Sequence, residues 1–348
     1  VPTKASVAID GDVVGETPNI AARVQSAALP NSVVISGATE RLAHGYFHIE
    51  ALGEQQLKGV TRPIEVFRII GESGAASRLD TVEHLTPLVG REEEIALLLD
   101  RWHKAVTGDA QVVVISGEPG IGKSRLVRTL RDHLLHEHVR IELRCSQIHQ
   151  NSALYPLIEH FQRVLQASDA GTPTERLAAT LRATGMEATA SLPLFAALLG
   201  LPLPEGCAPL DLTPEQQKQK TLEATLAWLD AEARKHPVLV VCEDLHWMDP
   251  STLELVGMLV ERDLTSGKMV LLTCRPEFTP PWPMQANIAV LQLTRLGRED
   301  ADEVMTRVAG GRARAVAVAA QIAARTDGVP LFVEELPKMV LESGLLRE

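Results

Sequence analysis

The sequence predicts an α/β fold built around a parallel sheet, preceded by a smaller α+β unit. Val112–Ile115 and Val238–Cys242 are short apolar runs without polar alternation, a pattern typical of strands covered on both faces of a parallel sheet. The first run leads into a glycine-rich loop and then into a helical pattern. Three further strand-like runs follow, with helical patterns between them: Ile141–Cys145, Met269–Cys274 and Ile288–Leu293.

Length and composition limit the classes of protein to consider. A chain of 348 residues is long for one domain, so two or three domains are expected. The net charge of -11 argues against a surface built for unspecific binding to nucleic acid or anionic membranes. The four cysteines lack paired spacing, which is typical of reduced core residues in a cytosolic protein. The sequence shows no signal-peptide or membrane-spanning pattern, so a cytoplasmic location is predicted. Because the sequence starts without Met, we expect it to be a fragment of a longer protein.

The glycine-rich loop fits the pattern G-x-x-x-x-G-K-[ST] at every fixed position. Its residues are Gly117, Glu118, Pro119, Gly120, Ile121, Gly122, Lys123 and Ser124. The glycines let backbone N–H groups turn toward an anion, Lys123 can reach the β- and γ-phosphates, and Ser124 offers a hydroxyl to Mg²⁺. A turn that binds nothing needs neither the lysine nor the serine, and a dinucleotide site would need a third glycine at Rossmann spacing. The loop therefore predicts ATP and Mg²⁺ as ligands.

Two acids and one arginine follow later strands of the predicted sheet. Glu243 and Asp244 come directly after an apolar run, at the sheet edge where α/β folds bind ligands. One acid would hold Mg²⁺ and the other would orient or deprotonate the attacking water, and their order leaves open which does which. The alternative is that both acids only end the strand and cap a turn. Arg275 would either meet the γ-phosphate or pair with Glu277, and the sequence favours neither.

Val1 to about Ile70 predicts the small α+β unit. Thr17 and Pro18 are expected to start a helix as its N-cap and first helical residue. Asn19 and Arg23 then lie on one face, one turn apart, and from spacing alone a solvated helix face is favoured. A short helix is predicted at Ala38–Ala43. Strands are predicted around these helices: Ala5–Ile9, Ser32–Ser36, Tyr46–Ile49 and Ile64–Ile70.

A resemblance gives the Asn19 and Arg23 pair more weight. The run GDVVGETPNIAARVQSAALPNSVVISGATERLAHGYFHIEALGEQQLKGVTRPIEVFRI resembles the C-terminal half of a class III adenylate/guanylate cyclase domain, which is ferredoxin-like. The resemblance implies that Asn19 orients the ribose and that Arg23 binds the transferring phosphates. It also implies that Asp12 selects adenine and that Lys58 contacts the triphosphate. The family's metal-binding aspartates and first strands have no counterpart in this chain, so a truncated cyclase unit is expected.

A second resemblance concerns the helix before the phosphate loop. Val89-Gly90-Arg91-Glu92 opens an amphipathic helical pattern and resembles the VGRE element of AAA/STAND-type signalling ATPases. In those ATPases the element lies near the adenine, which implies that Arg91 contributes to the nucleotide site.

Two more stretches resemble the same ATPases. Glu243 to Pro250 is similar to their EDLHWxDP run, and for His246 and Trp247 packing is favoured slightly over a catalytic role. Gly328-Val329-Pro330-Leu331 is similar to the GxP element through which their lids sense nucleotide, which implies a binding role for Pro330. A Gly/Pro helix junction is an equally physical alternative there.

These patterns predict an α/β P-loop NTPase with a parallel sheet and a helical lid, preceded by the truncated α+β cyclase unit. The predicted regions are 1–71 for the cyclase part, 72–86 for a linker, 87–290 for the ATPase core and 291–348 for the lid. The predicted function is an ATP-driven signalling switch linked to a nucleotide cyclase, as in bacterial cyclase-ATPase proteins. The alternatives are a non-hydrolysing ATP-dependent scaffold and a transcription regulator whose DNA-binding domain lies outside the chain. Expected partners are ATP, other proteins and a second cyclase unit, with no membrane.

Overall fold

The chain divides into two compact units, Val1–Leu85 and Thr86–Glu348. The computed structural model describes residues 7–9, 12–14, 16–26, 28–57, 63–73, 81, 86–134, 137–167, 170–204, 206–207, 210–262, 267–283, 285, 287–308 and 328–342.

In the residues that the structure describes, the first unit forms two small antiparallel sheets and two helices. Its elements are β1 (Val7–Ile9), β2 (Asp12–Val14), α1 (Glu16–Gln25), β3 (Val33–Ser36), α2 (Gly37–Leu42), β4 (Phe47–Gln55) and β5 (Ile64–Glu72). β1 pairs with β2, and β5 lies between β3 and β4. Val24 of α1 packs with Leu57 and Val66 in a small buried cluster. The unit is therefore α+β, as the sequence predicts.

Three details of this unit differ from the sequence predictions. β2 was not predicted, because three residues are too few to show a periodicity. The first helix begins at Glu16, so Thr17 is not its N-cap; an acid in the first turn favours the longer helix through the helix dipole. β4 continues to Gln55, well beyond the predicted end at Ile49, because its pairing with β5 resumes after a register shift near Gly53.

The second unit alternates strands and helices. Its elements are α3 (Glu92–Val106), β6 (Gln111–Ser116), α4 (Lys123–His133), β7 (Val139–Arg144), α5 (Tyr155–Gln166), α6 (Pro173–Thr184), α7 (Ala188–Leu199), α8 (Pro214–Ala233), β8 (Val238–Glu243), a 3-10 turn (Leu245–Trp247), α9 (Pro250–Glu261), β9 (Lys268–Cys274), β10 (Ile288–Gln292), α10 (Arg298–Val308) and α11 (Pro330–Glu342).

The five strands described in this unit form one parallel sheet in the order β10-β6-β9-β8-β7. All five carboxyl ends therefore lie along one edge, and β9 separates β6 from β8. Alternate strand residues face two different apolar layers. One layer contains Leu98 of α3 and Leu126 of α4, and the other contains Phe161 of α5 and Trp228 of α8. Each such fully buried side chain contributes about 1.5–3 kcal/mol, so the two layers hold the sheet and its edge in place.

Most helix boundaries agree with the sequence, and the exceptions have local causes. The run Thr213-Pro214-Glu215-Gln216 predicts a capping box, and this is confirmed at the start of α8. The helical pattern after the phosphate loop spans Arg125–His138, but α4 spans Lys123–His133. It begins earlier because Gly122 in a left-handed conformation leads straight into it, and it ends earlier because Leu134 is extended. The sequence also predicts a helix over Ala313–Arg325 in the lid; this segment lies outside the described residues, as does most of the predicted linker. Every helix in the described ranges is too short or too polar to span a lipid bilayer.

Candidate functional site

The phosphate loop joins β6 to α4, so it lies at the carboxyl end of its strand. Gly120 and Gly122 have φ angles of 75° and 102°, in the left-handed region that side chains disfavour. A Cβ atom on Gly117 would lie 2.8 Å from Cγ2 of Ile121. The loop therefore requires its glycines both for conformation and for close packing. Its last residues place backbone N–H groups at the start of α4, where they can bind an anion.

Lys123 lies inside this loop. Its Nζ donates hydrogen bonds to the carbonyl oxygens of Gly117 at 2.8 Å and Glu118 at 3.0 Å. The residue is only 8% exposed. Burial lowers the pKa of Lys123, and the negative charge of Asp244 opposes that shift. The loop thus encloses a partly desolvated cation within electrostatic range of an acid that follows β8.

Glu243 is the last residue of β8 and lies against the start of α4. Burial raises the pKa of Glu243, while a hydrogen bond from the Ser124 hydroxyl and the charge of Arg144 oppose the shift. Arg144 ends the neighbouring β7 in register with Glu243, and its Nε lies 3.7 Å from Oε1 of that acid. The structure therefore brings Ser124 together with Glu243, one of the two acids that the sequence offers as a Mg²⁺ ligand. It adds Arg144, to which sequence reasoning assigned no role.

Asp244 has different surroundings from Glu243, although the two are consecutive. Its backbone is left-handed, with φ 59° and ψ 52°. A non-glycine residue in this region is strained, and such strain clusters at functional sites. The Asp244 N–H donates to Oγ1 of Thr273 in β9 at 3.0 Å, which fixes the strained residue to the next strand. The chain then leaves the sheet through the 3-10 turn Leu245–Trp247.

Arg275 follows β9, and its guanidinium packs on the indole of Trp247. The distance from Cζ to the ring centroid is 5.2 Å. In the part of the chain that the structure describes, Arg275 forms no ion pair, so the alternative pairing with Glu277 is absent. The His246 ring lies 5.0 Å from that of Trp247, and burial lowers the pKa of His246 while Asp244 opposes the shift. Trp247 therefore contacts a candidate site residue, a relation that spacing alone does not show.

Asp249 is the N-cap of α9, and it also holds a distant segment. Its Oδ1 accepts hydrogen bonds from the N–H groups of Ser251 at 3.1 Å and Thr252 at 3.0 Å. The same oxygen accepts the N–H of Leu154, just before α5, at 3.0 Å. Asp249 is 1% exposed. It therefore ties the segment after β8 to the segment after β7.

Arg91 precedes α3 and is buried, with 6% of the residue exposed. Its Nη1 lies 2.8 Å from Oε1 of Glu94, and its Nη2 donates to the carbonyl oxygen of Thr294. Arg295 pairs with Glu118 of the phosphate loop, at 3.0 Å between Nη2 and Oε2. Arg91, which is predicted to lie near the adenine, therefore borders a cavity. Arg295 lines the same cavity and forms the ion pair with the phosphate loop. The volume of this cavity is about 420 Å³, and it is lined by residues 90–94, 294–297 and 300.

Pro330 is the first residue of α11, and this end of the helix contacts the phosphate loop. The N–H of Leu331 donates to the carbonyl oxygen of Gly120 at 3.1 Å. Further along the helix, Oε2 of Glu334 lies 3.8 Å from Nη1 of Arg125 in α4. A change in the loop would therefore reach α11 directly.

The candidate cyclase residues lie in the first unit. Asn19 and Arg23 are both exposed on α1, one turn apart as the spacing predicts. Asp12 is the first residue of β2. Lys58 lies outside the described residues.

The fold and the loop define an α/β P-loop protein. The chain belongs to the family described as the AAA ATPase domain, whose model matches residues 87–272. Membership implies a P-loop ATPase that uses ATP, usually with Mg²⁺, in agreement with the predicted ligands. The match includes none of residues 1–71, so the cyclase unit rests on the resemblance alone.

One curated relative is an uncharacterized protein of Rhizobium meliloti (strain 1021). It is 29% identical over 340 residues, which are 95% of this chain and 33% of that protein. The chain therefore spans about a third of the length of the curated relative that it matches.

Three solved structures are similar at TM-scores of 0.40 to 0.43, which carry no conclusion about function. A STAND protein with a tetratricopeptide repeat sensor from Pyrococcus horikoshii has a TM-score of 0.40 and 15% identity, over 72% of this chain and 30% of that chain. The Aeropyrum pernix ORC1 protein in complex with DNA has a TM-score of 0.41 and 14% identity, over 75% and 61%. Cdc6p from Pyrobaculum aerophilum has a TM-score of 0.43 and 13% identity, over 76% and 65%.

Proposed function

We propose that the second unit binds ATP with Mg²⁺ at the phosphate loop and hydrolyses it slowly, as a signalling switch. One observation carries the proposal: Lys123, the hydrogen-bonded Ser124 and Glu243, and Asp244 meet at one edge of the sheet. A cation for the phosphates and oxygen ligands for a hard divalent ion are the groups that Mg²⁺ and a nucleoside triphosphate require.

Each of these residues would have a separate role. Lys123 and the N–H groups of the loop would bind the β- and γ-phosphates, while Ser124 and Glu243 would hold Mg²⁺. The ion, when bound, neutralises phosphate charge. Asp244 would accept a proton from the attacking water, and Arg275 would contact the γ-phosphate and the charge that develops there.

The adenine and the lid would complete the switch. Arg91 borders a cavity that lies close enough to the phosphate loop to take the base. Pro330 begins a helix that donates a hydrogen bond to Gly120. A nucleotide that moves this loop would therefore bias the position of α11, which is the kind of two-state element that a signalling ATPase needs.

Replacement of Lys123 by alanine tests the binding site. Because charged hydrogen-bond donors contribute about 1.5–3 kcal/mol, Lys123→Ala should weaken Mg²⁺-ATP binding roughly tenfold to a hundredfold by calorimetry. The fold should be retained, because the residue serves a ligand-facing loop. Lys220→Ala, which removes an exposed lysine from α8, is the matched control and should bind as the wild type does. Equal ATP affinity in folded Lys123→Ala protein would contradict the proposed site.

A non-hydrolysing scaffold is the main rival. It would use the same loop and ion to order an interaction surface, but it would have no use for a proton acceptor. Turnover, and its dependence on Asp244, distinguishes the two. A transcription regulator remains an alternative only through a DNA-binding domain outside this chain.

The proposal extends to the first unit, where a cyclase link is supported by the resemblance and by the exposure of one helix face. Asn19 and Arg23 stand side by side on that face of α1, where they could serve a site shared with a second cyclase unit. Asn19 would orient the ribose and Arg23 would bind the phosphates, with Asp12 and Lys58 as the base-selecting and triphosphate-contacting residues. The ATPase switch would then regulate cyclic-nucleotide synthesis.

A further inference from the structure

Two contacts join the segment that follows β8 to the end of β9 and to the residue after it. The first is the hydrogen bond from the Asp244 N–H to Thr273, one strand residue before Cys274. The second is the packing of Arg275 on Trp247. Between the two contacts, the chain passes through the left-handed Asp244 and the short 3-10 turn that ends at Trp247. At the end of this turn, the ring centroid of Trp247 lies 5.2 Å from Cζ of Arg275.

The indole is the partner that the structure gives to this guanidinium. Among the described residues Arg275 forms no ion pair, so no carboxylate fixes its direction. It follows Cys274, which pairs in register with Ser116 at the end of β6, so Arg275 lies at the same sheet edge as the phosphate loop. An aromatic face attracts a guanidinium weakly enough for a stronger anion to compete for it. The arginine is therefore held near the site without being neutralised.

Trp247 also differs from the other tryptophans of the chain. Trp102, Trp228 and Trp282 are buried in apolar clusters, with 6%, 3% and 4% exposed. Trp247 is only partly buried, and it contacts His246 and Arg275 at the edge that carries the two acids. Packing within a core does not account for this position.

We propose that Trp247 is the positioning residue for Arg275: its indole holds the guanidinium beside the phosphate loop, where the terminal phosphate of ATP would meet it. In this role Trp247 contacts neither the nucleotide nor the attacking water, and it acts only through the arginine. The inference rests on the proposed ATPase function.

A double-mutant cycle tests the proposal. Because a cation–π contact of this kind changes rates only modestly, Trp247→Ala should lower kcat by roughly two- to thirtyfold while KM for ATP changes by less than about threefold. Trp247→Phe keeps an aromatic face and should recover most of the loss. In an Arg275→Ala background, Trp247→Ala should have no further effect. Fully additive losses, or a phenylalanine variant as impaired as the alanine variant, would overturn the proposal.

Fluorescence gives a readout that general destabilisation would not mimic. The difference in emission between wild type and Trp247→Phe isolates the signal of Trp247 from that of the three buried tryptophans. In an Arg275→Ala background, the Trp247 signal is obtained in the same way, as the difference from an Arg275→Ala, Trp247→Phe double variant. It should differ from the wild-type signal. In the wild type, it should also change on addition of Mg²⁺-ATP. Arg262→Ala, which removes a guanidinium paired with Asp230, is the matched control and should leave the signal unchanged. An Arg275→Ala protein with unaltered Trp247 emission would refute the contact.

The two hypotheses fail in different ways. If Lys123→Ala does not weaken ATP binding, the proposed function is wrong, whereas the Trp247 emission still decides whether the indole holds Arg275. If the protein binds ATP without turnover, the dissociation constants of ADP and ATP are measured for each variant of the double-mutant cycle. The ratio of the two constants then replaces kcat as the quantity compared. Trp247→Ala should then lower the preference for ATP only when Arg275 is present. An equal effect in both backgrounds would overturn the inference and leave the binding site intact.

Discussion

Glu243 and Asp244 are consecutive acids with unlike environments. Glu243 accepts a hydrogen bond from Ser124 and lies 3.7 Å from Arg144, whereas Asp244 is turned out of the strand in a left-handed conformation. The first environment suits an ion ligand, since a buried carboxylate there has a hydroxyl co-ligand beside it. The environment of Asp244 suits a carboxylate that contacts a water molecule at the edge of the sheet. We therefore assign Mg²⁺ to Glu243 and the attacking water to Asp244.

This assignment predicts separable phenotypes. Asp244→Asn should keep ATP affinity within a few-fold while turnover falls roughly a hundredfold or more, the usual loss when a general base is removed. Glu243→Gln should instead raise the Mg²⁺ concentration needed for half-maximal activity. Calorimetry for ATP and a Mg²⁺ titration of phosphate release measure the two effects. Exchanged phenotypes would reverse the roles, and an Asp244→Asn protein with full turnover would remove the general base from the mechanism.

At the scale of elements, the segments after β7 and β8 are held together by Asp249. Asp249→Ala would remove the cap of α9 and leave the N–H of Leu154 without its acceptor. Loss of a cap costs about 0.5–2 kcal/mol and an unpaired buried N–H about 1–3 kcal/mol, so we expect a loss of roughly 2–4 kcal/mol in the free energy of unfolding. Thr213→Ala, which removes only a local cap from α8, should cost about 1 kcal/mol and serves as the control.

Urea unfolding measures this difference, and hydrogen exchange locates it. Amide protection should fall at both Leu154 and Thr252 in Asp249→Ala, because one carboxylate oxygen serves both N–H groups. Exchange that increases only at Thr252 would show that the tether to Leu154 contributes nothing in solution.

The strands, the phosphate loop and most helices could be predicted from the sequence because their signals are local. Apolar runs, capping boxes and the fixed residues of the loop need no knowledge of what packs against them. The Asp249 contact with Leu154 could not be predicted, since it joins residues 95 positions apart. The same holds for Arg144, whose position beside Glu243 follows only from the pairing of β7 with β8, and for Trp247, whose partner lies on another strand.

At the scale of the whole molecule, the second unit contains all the residues proposed for its site, whereas the first unit contains only some of the residues that a cyclase site needs. The residues proposed for ATP hydrolysis all lie in the second unit, whereas the cyclase residues suggested by resemblance lack the family's two metal-binding aspartates. We therefore expect the purified 348-residue chain to make no cyclic AMP or cyclic GMP with Mg²⁺ or Mn²⁺, because the reaction needs metal ions to activate the ribose hydroxyl. Mixing it with a cyclase that keeps its metal aspartates but lacks its own Asn/Arg pair should restore some synthesis. Synthesis by the chain alone that is lost in Arg23→Ala would contradict this expectation.

Because Lys123 donates hydrogen bonds to the carbonyl oxygens of Gly117 and Glu118, we expect the response of the loop to depend on the number of phosphates in the ligand. A ligand gains here only the difference between a charged phosphate acceptor and two neutral carbonyls, because the ammonium already has partners. If the phosphate of a nucleoside monophosphate does not extend to Lys123, those carbonyl bonds stay in place and the lysine adds nothing to binding. We expect longer phosphate chains to draw the ammonium away from the carbonyls, so that the loop backbone loses these two hydrogen bonds. The same loop accepts the hydrogen bond from Leu331 at Gly120, so the number of phosphates would affect the start of α11.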